Sequence, residues 1–154
     1  GCLLAIDEIG KETRPESAID VGCGSGILAI AMTAITRRRV IACDNDPVAV
    51  SVTEENAAIN GVDARIIPVH SEGLDHDTIR GRAPFDLIVA NILAQPLIDL
   101  APQIAGALAN GGNVVLSGLL GSQAAAVIAA YRAQGITLLR RIEGGDWTTL
   151  MMRG

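Results

Sequence analysis

The chain has 154 residues, of which 49% are hydrophobic and 19% charged, so it can bury one substantial core and is not a disordered segment. Its formal net charge of −5 leaves little basic surplus for a phosphate backbone, and no direct nucleic-acid contact is expected. No apolar run approaches the roughly 20 residues that a membrane span needs, which predicts no membrane partner.

The cysteines favour a reducing compartment over a disulfide framework, because there are three of them at wide spacing. The predicted location is therefore the cytoplasm. No cysteine and histidine residues cluster at ligand spacing, and no metal site is expected. Cys23 and Cys43 are typical of small core-filling side chains.

Strand-like apolar runs alternate with helical stretches along the whole chain. Helices are predicted over residues 1–12, 26–36, 47–60, 94–109 and 122–134, the fourth of them open to a break at Pro102. Strands are predicted over residues 18–21, 40–44, 64–70, 85–91 and 113–117, with a terminal hairpin over 136–143 and 147–152.

This alternation predicts a single α/β domain over residues 1–154. Strands that alternate with helices imply right-handed crossovers and a mostly parallel sheet with helices on both faces. Pro68 cannot donate a ladder hydrogen bond, which indicates that the third strand lies at an edge of the sheet.

A glycine loop, Asp20-Val-Gly22-Cys-Gly24-Ser-Gly26, follows the first strand and carries the strongest chemical signal. Glycines without a β-carbon let the backbone approach a ligand closely, at the end of a sheet where ligands bind. A dinucleotide fingerprint needs its third glycine at position 27, which is Ile27 here. The early glycine and the carboxylate of Asp20 favour a ligand without phosphates, although an isolated glycine turn can also be only a turn.

Asp44 ends the second strand and is the natural partner of this loop. A carboxylate there can accept both hydroxyl protons of a ribose, an interaction that NAD-binding proteins also use, so the loop and the acid together predict an adenosyl ligand. Asn45 and Asp46 have an alternative reading as caps of the next helix, which is the preferred one for Asp46 before Pro47.

Residues 20–28 (DVGCGSGIL) and 42–47 (ACDNDP) resemble the class I S-adenosylmethionine methyltransferases. A narrower set, Ala90-Asn91-Ile-Leu-Ala94 with Gly111-Gly112 and Leu116-Ser-Gly118, is similar to the PrmA family, which modifies large-subunit ribosomal protein eleven. The resemblance covers nearly the whole chain.

The resemblance implies a Rossmann-like class I fold, with a seven-stranded, mostly parallel sheet whose last strand is antiparallel. It implies S-adenosylmethionine as cofactor, and lysine or α-amino groups of a ribosomal protein as acceptors. It assigns cofactor contacts to Gly22, Asp44 and Asn91. The family also carries an N-terminal substrate-recruiting domain, and we expect that it precedes Gly1 in the whole protein.

With the cofactor that the resemblance implies, the predicted site is broader. Gly22, Gly24 and Gly26 would shape the methionyl and ribose pocket, and Asp20 would orient the amino end of the cofactor through the loop. Asp44 would bind ribose, and the predicted cofactor contacts also include Cys23 and Asn45. Ser71 and Glu72, after the third strand, would meet the adenine edge.

Asn91 is the predicted catalytic residue, because its amide carbonyl can accept hydrogen bonds from an incoming amine. The alternative role for Asn91 is an ordinary cap of the helix that follows it. Amino-methyltransferases with an N-P-P-Y motif place an Asn at the same strand end, but Ile92, Leu93 and Ala94 replace the other three residues here, which speaks against a planar acceptor. Two positions stay open for Trp147, against the end of the sheet or near the substrate. His70 and His76 are predicted to be surface histidines.

Other functions stay open at this point. One is methylation of another protein or of a small molecule on the same core. A nicotinamide-dependent oxidoreductase is disfavoured by the glycine spacing, and a module that binds the cofactor without turnover would keep the same motifs.

Overall fold

The computed structural model describes residues 1–154, and strands alternate with helices along them. The strands are Ala18–Val21 (β1), Val40–Asp44 (β2), Ile66–His70 (β3), Phe85–Asn91 (β4), Leu108–Leu120 (β5), Thr137–Gly144 (β6) and Trp147–Arg153 (β7). The helices are Cys2–Glu12 (α1), Ile27–Met32 (α2), Pro47–Ile59 (α3), Asp77–Arg80 (α4), Ala94–Ala107 (α5) and Ala124–Ala133 (α6).

All seven strands join one sheet in the order β3-β2-β1-β4-β5-β7-β6. Strands β1 to β5 pair in parallel, and β7 runs antiparallel to both β5 and β6. The predicted fold class is confirmed, as are the terminal hairpin and the edge position of the strand that contains Pro68.

Apolar side chains pack on both faces of the sheet because neighbouring strand residues point to opposite sides. Ile19 and Val21 belong to the cluster under α4, α5 and α6, whereas Ala18 belongs to the cluster under α1, α2 and α3. Asp20 therefore points to the same face as Ala18, towards α2.

The largest differences from the sequence prediction are the end of α2, the length of β5 and the short helix α4, which the sequence does not predict. Helix α2 ends at Met32 instead of residue 36, because the hydroxyls of Thr33 and Thr36 donate to the carbonyls of Ile30 and Met32 at 2.7 and 2.9 Å and tighten the chain into turns. Strand β5 extends well beyond residues 113–117, since β4 pairs with its start and β7 with its end. Helix α5 runs unbroken through Pro102.

The carboxyl ends of β1 to β5 meet at one edge of the sheet. The strand order reverses between β1 and β4, and a crevice opens at such a switch point in a doubly wound sheet. The glycine loop follows β1 at this crevice, Asp44 ends β2 and Asn91 ends β4.

Candidate functional site

A cleft of about 560 Å³ opens at this crevice, between the glycine loop and the start of α5. It contains three carboxylates, of Asp44, Glu72 and Asp99, and no Lys, Arg or His. The residues that line it are Val21, Gly22, Cys43, Asp44, Asn45, Ser71, Glu72, Gly73, Ile92, Leu93, Pro96, Asp99, Leu100 and Gln103. The cleft is therefore acidic and partly apolar.

Gly22 forms the floor of the cleft because its position leaves no room for a side chain. Its φ is 73°, and a β-carbon would lie 2.3 Å from Cγ2 of Ile92 on the opposite wall. The N–H groups of Gly22 and Cys23 both donate to the carbonyl of Cys43, at 2.8 and 3.0 Å, which ties the loop to β2. The loop thus brings bare backbone to the cleft.

Asp44 lines the cleft directly beside this loop. One carboxylate oxygen accepts the Gly24 N–H at 3.0 Å and the other accepts the Asp46 N–H at 3.0 Å. A carboxylate offers about four acceptor positions, so each oxygen keeps capacity for a ligand hydroxyl. The carboxylate is half-buried and fixed in orientation before any ligand arrives.

Asp20 lies beneath the loop and does not line the cleft. Its side chain is 1% exposed, and Oδ2 accepts the Ala29 N–H at 3.0 Å in the first turn of α2. Burial raises the pKa of this carboxyl to about 7, against the lowering effect of the Ala29 N–H, and the negative charge of Asp44 adds to the rise. Its Oδ1 is buried without a partner.

Cys23 and Gly26 support the loop from its far side. The Cys23 thiol is buried and accepts a hydrogen bond from Oγ1 of Thr53 at 3.3 Å, and burial raises its pKa to about 11. Gly26 begins α2 with a φ of 79°, and a β-carbon there would lie 2.8 Å from Thr53. Neither residue lines the cleft, nor does Gly24.

The segment after β3 forms the opposite rim. Ser71 is buried, donates from Oγ to the Gly73 carbonyl at 2.8 Å, and donates its N–H to the Asp44 carbonyl at 2.9 Å. Asn45 is exposed at the rim, and its carbonyl lies 3.1 Å from Nε2 of His70. His76 caps α4 through Nδ1, which accepts the Thr78 N–H.

Asn91 lies in a second, adjoining cleft of about 400 Å³ and not in the first. The residues that line this second cleft are Asn91, Ile92, Leu93, Ser117, Gly118 and Trp147. Ile92 and Leu93 belong to both clefts, so they separate two adjacent binding spaces. Trp147 is 55% exposed beside Asn91.

Sequence reasoning missed the wall that the start of α5 contributes, formed by Ile92, Leu93, Pro96, Asp99, Leu100 and Gln103. One signal was available in the sequence. An apolar Ile-Leu pair directly follows the strand-end Asn91; in the structure Ile92 is only partly buried against the core, and Leu93 is 70% exposed. Such exposed apolar residues at the mouth of a sheet indicate a ligand wall.

The residue pattern of the family described as "Ribosomal protein L11 methyltransferase (PrmA)" matches residues 1–154. The chain belongs to this family. Relatives named ribosomal protein L11 methyltransferase include those of Brucella suis and of Mesorhizobium japonicum, each 46% identical over 153 residues and 99% of this chain. The chain spans about half the length of these PrmA relatives, 54% and 53%.

One solved structure agrees with the PrmA assignment, and a second shares the fold. The ribosomal protein L11 methylase of Lactobacillus delbrueckii subsp. bulgaricus superposes with a TM-score of 0.87 at 34% identity, covering 98% of this chain and 76% of that one. The N-methyltransferase NodS of Bradyrhizobium japonicum, solved with S-adenosyl-L-homocysteine, superposes at 0.76 with 16% identity over 99% of this chain and 85% of that one, which shows a shared fold alone.

Two further findings concern membrane-spanning helices and metal ligands. None of the helices has both the length and the apolar character needed to pass through a bilayer. No three His, Cys, Asp or Glu side chains converge as they would around a metal ion.

Proposed function

We propose that the chain binds S-adenosylmethionine in the first cleft and transfers its methyl group to amines of ribosomal protein L11. The observation that carries this proposal is the match of the PrmA family over all 154 residues. The glycine loop and the fixed carboxylate of Asp44 at the cleft of that fold support it.

The side chains of the cleft suit an adenosyl ligand that has no phosphate. Asp44 can accept the ribose hydroxyls, and the apolar residues Ile92, Leu93 and Leu100 can cover the adenine. Three carboxylates without a cation would repel a pyrophosphate, whereas a cationic sulfonium and an ammonium group are favoured there. Asp20 already occupies the first turn of α2, where a dinucleotide phosphate would otherwise be bound.

Residues outside the cleft would act through the loop. The carboxyl of Asp20 holds α2 against β1, which fixes the glycine loop above it. Gly24 and Gly26 keep the backbone of that loop in its left-handed turns, and Cys23 anchors the loop through its N–H to the Cys43 carbonyl and its thiol to Thr53. Asn45 and Ser71 complete the rim on the adenine side, with Glu72 beside them.

The second cleft is the proposed acceptor site for a lysine side chain or an α-amino group. S-adenosylmethionine supplies a methyl group on an activated sulfur when it is bound. The carbonyl of Asn91 would accept a hydrogen bond from the amine and aim the nitrogen towards the first cleft, and alignment of this kind lowers the barrier by as much as about 7–11 kcal/mol.

The acceptor amine must be neutral to react. Ile92, Leu93 and Trp147 line the second cleft and would exclude water from the amine, and desolvation lowers the pKa of a lysine. A dedicated base is therefore unnecessary in this mechanism. Because the acceptor is a ribosomal protein, we infer that the reaction takes place in the cytoplasm.

Calorimetry tests the cofactor assignment. S-adenosylhomocysteine should bind the 154-residue chain saturably with one site, and NAD at equal concentration should give no binding heat. Saturable binding of NAD without binding of S-adenosylhomocysteine would make the protein an oxidoreductase candidate and would overturn the proposal.

A labelled-methyl assay tests the acceptor. The chain is incubated with methyl-labelled S-adenosylmethionine and purified ribosomal protein L11, and mass spectrometry locates the added methyl groups. We expect label on lysine or α-amino nitrogens of L11. Cofactor binding without label on L11, at saturating L11, would contradict the transfer step.

The Asn91→Ala substitution separates transfer from cofactor binding. Loss of the acceptor carbonyl should lower kcat for L11 by about 10- to 100-fold, since positioning is a large part of catalysis. Affinity for S-adenosylhomocysteine should change far less, because Asn91 does not line the first cleft. An unchanged kcat would remove Asn91 from the mechanism.

A further inference from the structure

A third cleft, of about 780 Å³, lies at the amino ends of the strands, on the opposite side of the molecule from the first two clefts. The arginines that line it are Arg37, Arg38, Arg39, Arg65 and Arg82. We call it the arginine cleft. Its other lining residues include no carboxylate, although the chain as a whole carries a net charge of −5. Five of the twelve basic side chains of the protein are therefore concentrated at one place.

The fold assembles this cleft from separate connections. Arg37 to Arg39 precede β2, Arg65 precedes β3 and Arg82 precedes β4. The backbone N–H groups of Arg37 and Arg38 donate to the carbonyls of Pro15 and Glu16, at 3.1 and 2.9 Å, which fixes the basic loop against the segment before β1. The arginines thus line an ordered cleft.

Two of the arginines are anchored by backbone carbonyls. Arg39 donates to the carbonyl of Ile66 at 2.9 Å, and Arg65 donates to the carbonyls of Thr33 and Thr36 at 3.1 and 2.8 Å. A guanidinium has five N–H donors, so both keep free donors for a ligand. These bonds hold the charged groups in place without neutralising them.

The other three arginines carry exposed guanidinium groups. Arg37 and Arg38 both pair with the exposed carboxylate of Glu16, at 3.2 and 3.5 Å, and Arg82 is exposed. Exposed ion pairs of this kind contribute only about 0–1 kcal/mol. An incoming anion can therefore displace Glu16 at little cost.

The net charge of −5 predicts no nucleic-acid contact, but it averages over the whole chain and does not show that five arginines lie together. Against that expectation, we propose that the arginine cleft binds the phosphate backbone of RNA. Planar guanidinium groups pair with phosphate oxygens through two parallel hydrogen bonds. A single phosphate would need about two such groups, and five around one cleft exceed that number, which favours a chain of phosphates as the ligand. The cleft lies at the end of the sheet away from the proposed transfer site, so a bound RNA would leave both of the other clefts free.

Binding of a fluorescently labelled, single-stranded RNA of 12 nucleotides tests this proposal by anisotropy between 25 and 200 mM salt. We expect saturable binding that weakens steeply with salt, because each contacted phosphate adds about 0.7 to the logarithmic slope. The combined Arg37→Gln, Arg38→Gln and Arg82→Gln variant should bind about tenfold or more weakly and should lose about 2 units of slope. It keeps Arg39 and Arg65, which contact the backbone.

A matched control changes the same amount of charge elsewhere. Arg132, Arg140 and Arg141, replaced together by Gln, lie on α6 and β6 and do not line the arginine cleft. This control should keep most of the RNA affinity. An equal loss in both variants would mean that overall charge alone attracts RNA, and the site would be rejected.

Removal of the Glu16 carboxylate, which competes with RNA for two of the arginines, should strengthen RNA binding. The Glu16→Gln substitution frees Arg37 and Arg38 and should tighten RNA binding by about two- to fivefold. Weaker binding by this variant would contradict the proposal.

Two competitors distinguish the source of the anion. Pyrophosphate and poly-glutamate, each at the phosphate-equivalent concentration of the RNA, should displace the labelled RNA poorly. Strong displacement by pyrophosphate would assign the cleft to a small phosphate compound, and strong displacement by poly-glutamate to an acidic peptide; either result would overturn RNA as the ligand. S-adenosylhomocysteine affinity of the triple variant should be unchanged, so failure here is separable from failure of the proposed function.

Discussion

The Asp44 carboxylate both orders the glycine loop and lines the cleft. One oxygen holds the Gly24 N–H and the other holds the Asp46 N–H. Both oxygens are therefore oriented before a ligand binds, which reduces the entropy lost on binding. This places the residue at the centre of the proposed ribose contact.

We expect Asp44→Asn to weaken S-adenosylhomocysteine binding by about 10- to 100-fold, since hydrogen bonds to a charged acceptor contribute about 1.5–3 kcal/mol. Calorimetry measures this change. Asp46→Asn is the matched control, because it removes the same charge two residues away and keeps a side-chain oxygen for the Val48 N–H. Equal affinity of both variants would exclude Asp44 from the site.

Asp20 makes the stability of the folded chain depend on pH. An Asp carboxyl ordinarily has a pKa of 3.8, and burial raises it to about 7 in the folded chain. Between these values the folded chain keeps a proton that the unfolded chain has released, so stability falls as the pH rises through this window. The contribution is fully present below about pH 4 and is lost above about pH 7.

The Asp20→Asn variant should lack this dependence, because an amide stays neutral and its oxygen can still accept the Ala29 N–H. Urea unfolding at pH 5 and at pH 8 measures the effect. The free energy of unfolding of the variant relative to the original chain should rise by about 1–4 kcal/mol between the two. A constant difference would show that Asp20 is ionised in the folded state throughout.

At the scale of elements, two glycines of the loop differ in what an added side chain would meet. Both have a left-handed backbone, but only one of them lies against the wall of the cleft. Gly22 and Gly24 both have positive φ, of 73° and 53°, so alanine costs about 1–2 kcal/mol of stability at either position. Only at Gly22 would the added β-carbon meet Ile92 across the cleft, while nothing lies within 4 Å at Gly24.

We therefore expect Gly22→Ala to weaken S-adenosylhomocysteine binding at least tenfold, and Gly24→Ala to weaken it far less. Gly22→Ala should also lose more stability than Gly24→Ala, because its β-carbon must displace Ile92 in addition to the backbone strain that both variants share. Thermal unfolding measures the stability of both variants, and calorimetry measures their affinity. A larger loss of affinity for Gly24→Ala would place the ligand on the other side of the loop.

Most elements could be predicted because their signals are local. Three such signals are readable in the sequence: the cluster of glycines after β1, the Asp46-Pro47 start of α3, and the glycines that lead into the Gly145-Asp146 turn of the hairpin. The length of β5 could not be predicted, since residues 118–120 gain their strand character from pairing with β7. Pairing partners distant in sequence leave no local pattern.

At the scale of the whole molecule, some site residues could be predicted from local motifs, and others depend on how the chain folds. Gly22 and Asp44 were predictable because a loop and a strand end carry them as motifs. The separation of Asn91 into a second cleft depends on how Ile92 and Leu93 pack, which is a property of the folded chain. The arginine cleft was missed for the same reason: the basic run before β2 is short, and folding brings Arg65 and Arg82 to it.

Cofactor binding should stabilise the whole domain, because a ligand that binds only the folded chain shifts the unfolding equilibrium by mass action. At a concentration of 100 times its Kd, S-adenosylhomocysteine should add about 2.7 kcal/mol, which raises the Tm of a domain of this size by about 5–10 °C. Differential scanning calorimetry measures the shift. NAD at the same concentration should leave the Tm unchanged, and the Asp44→Asn variant should show a reduced shift at the original S-adenosylhomocysteine concentration. An equal shift with NAD would mean that the acidic cleft accepts phosphates, and that its three carboxylates do not exclude a dinucleotide.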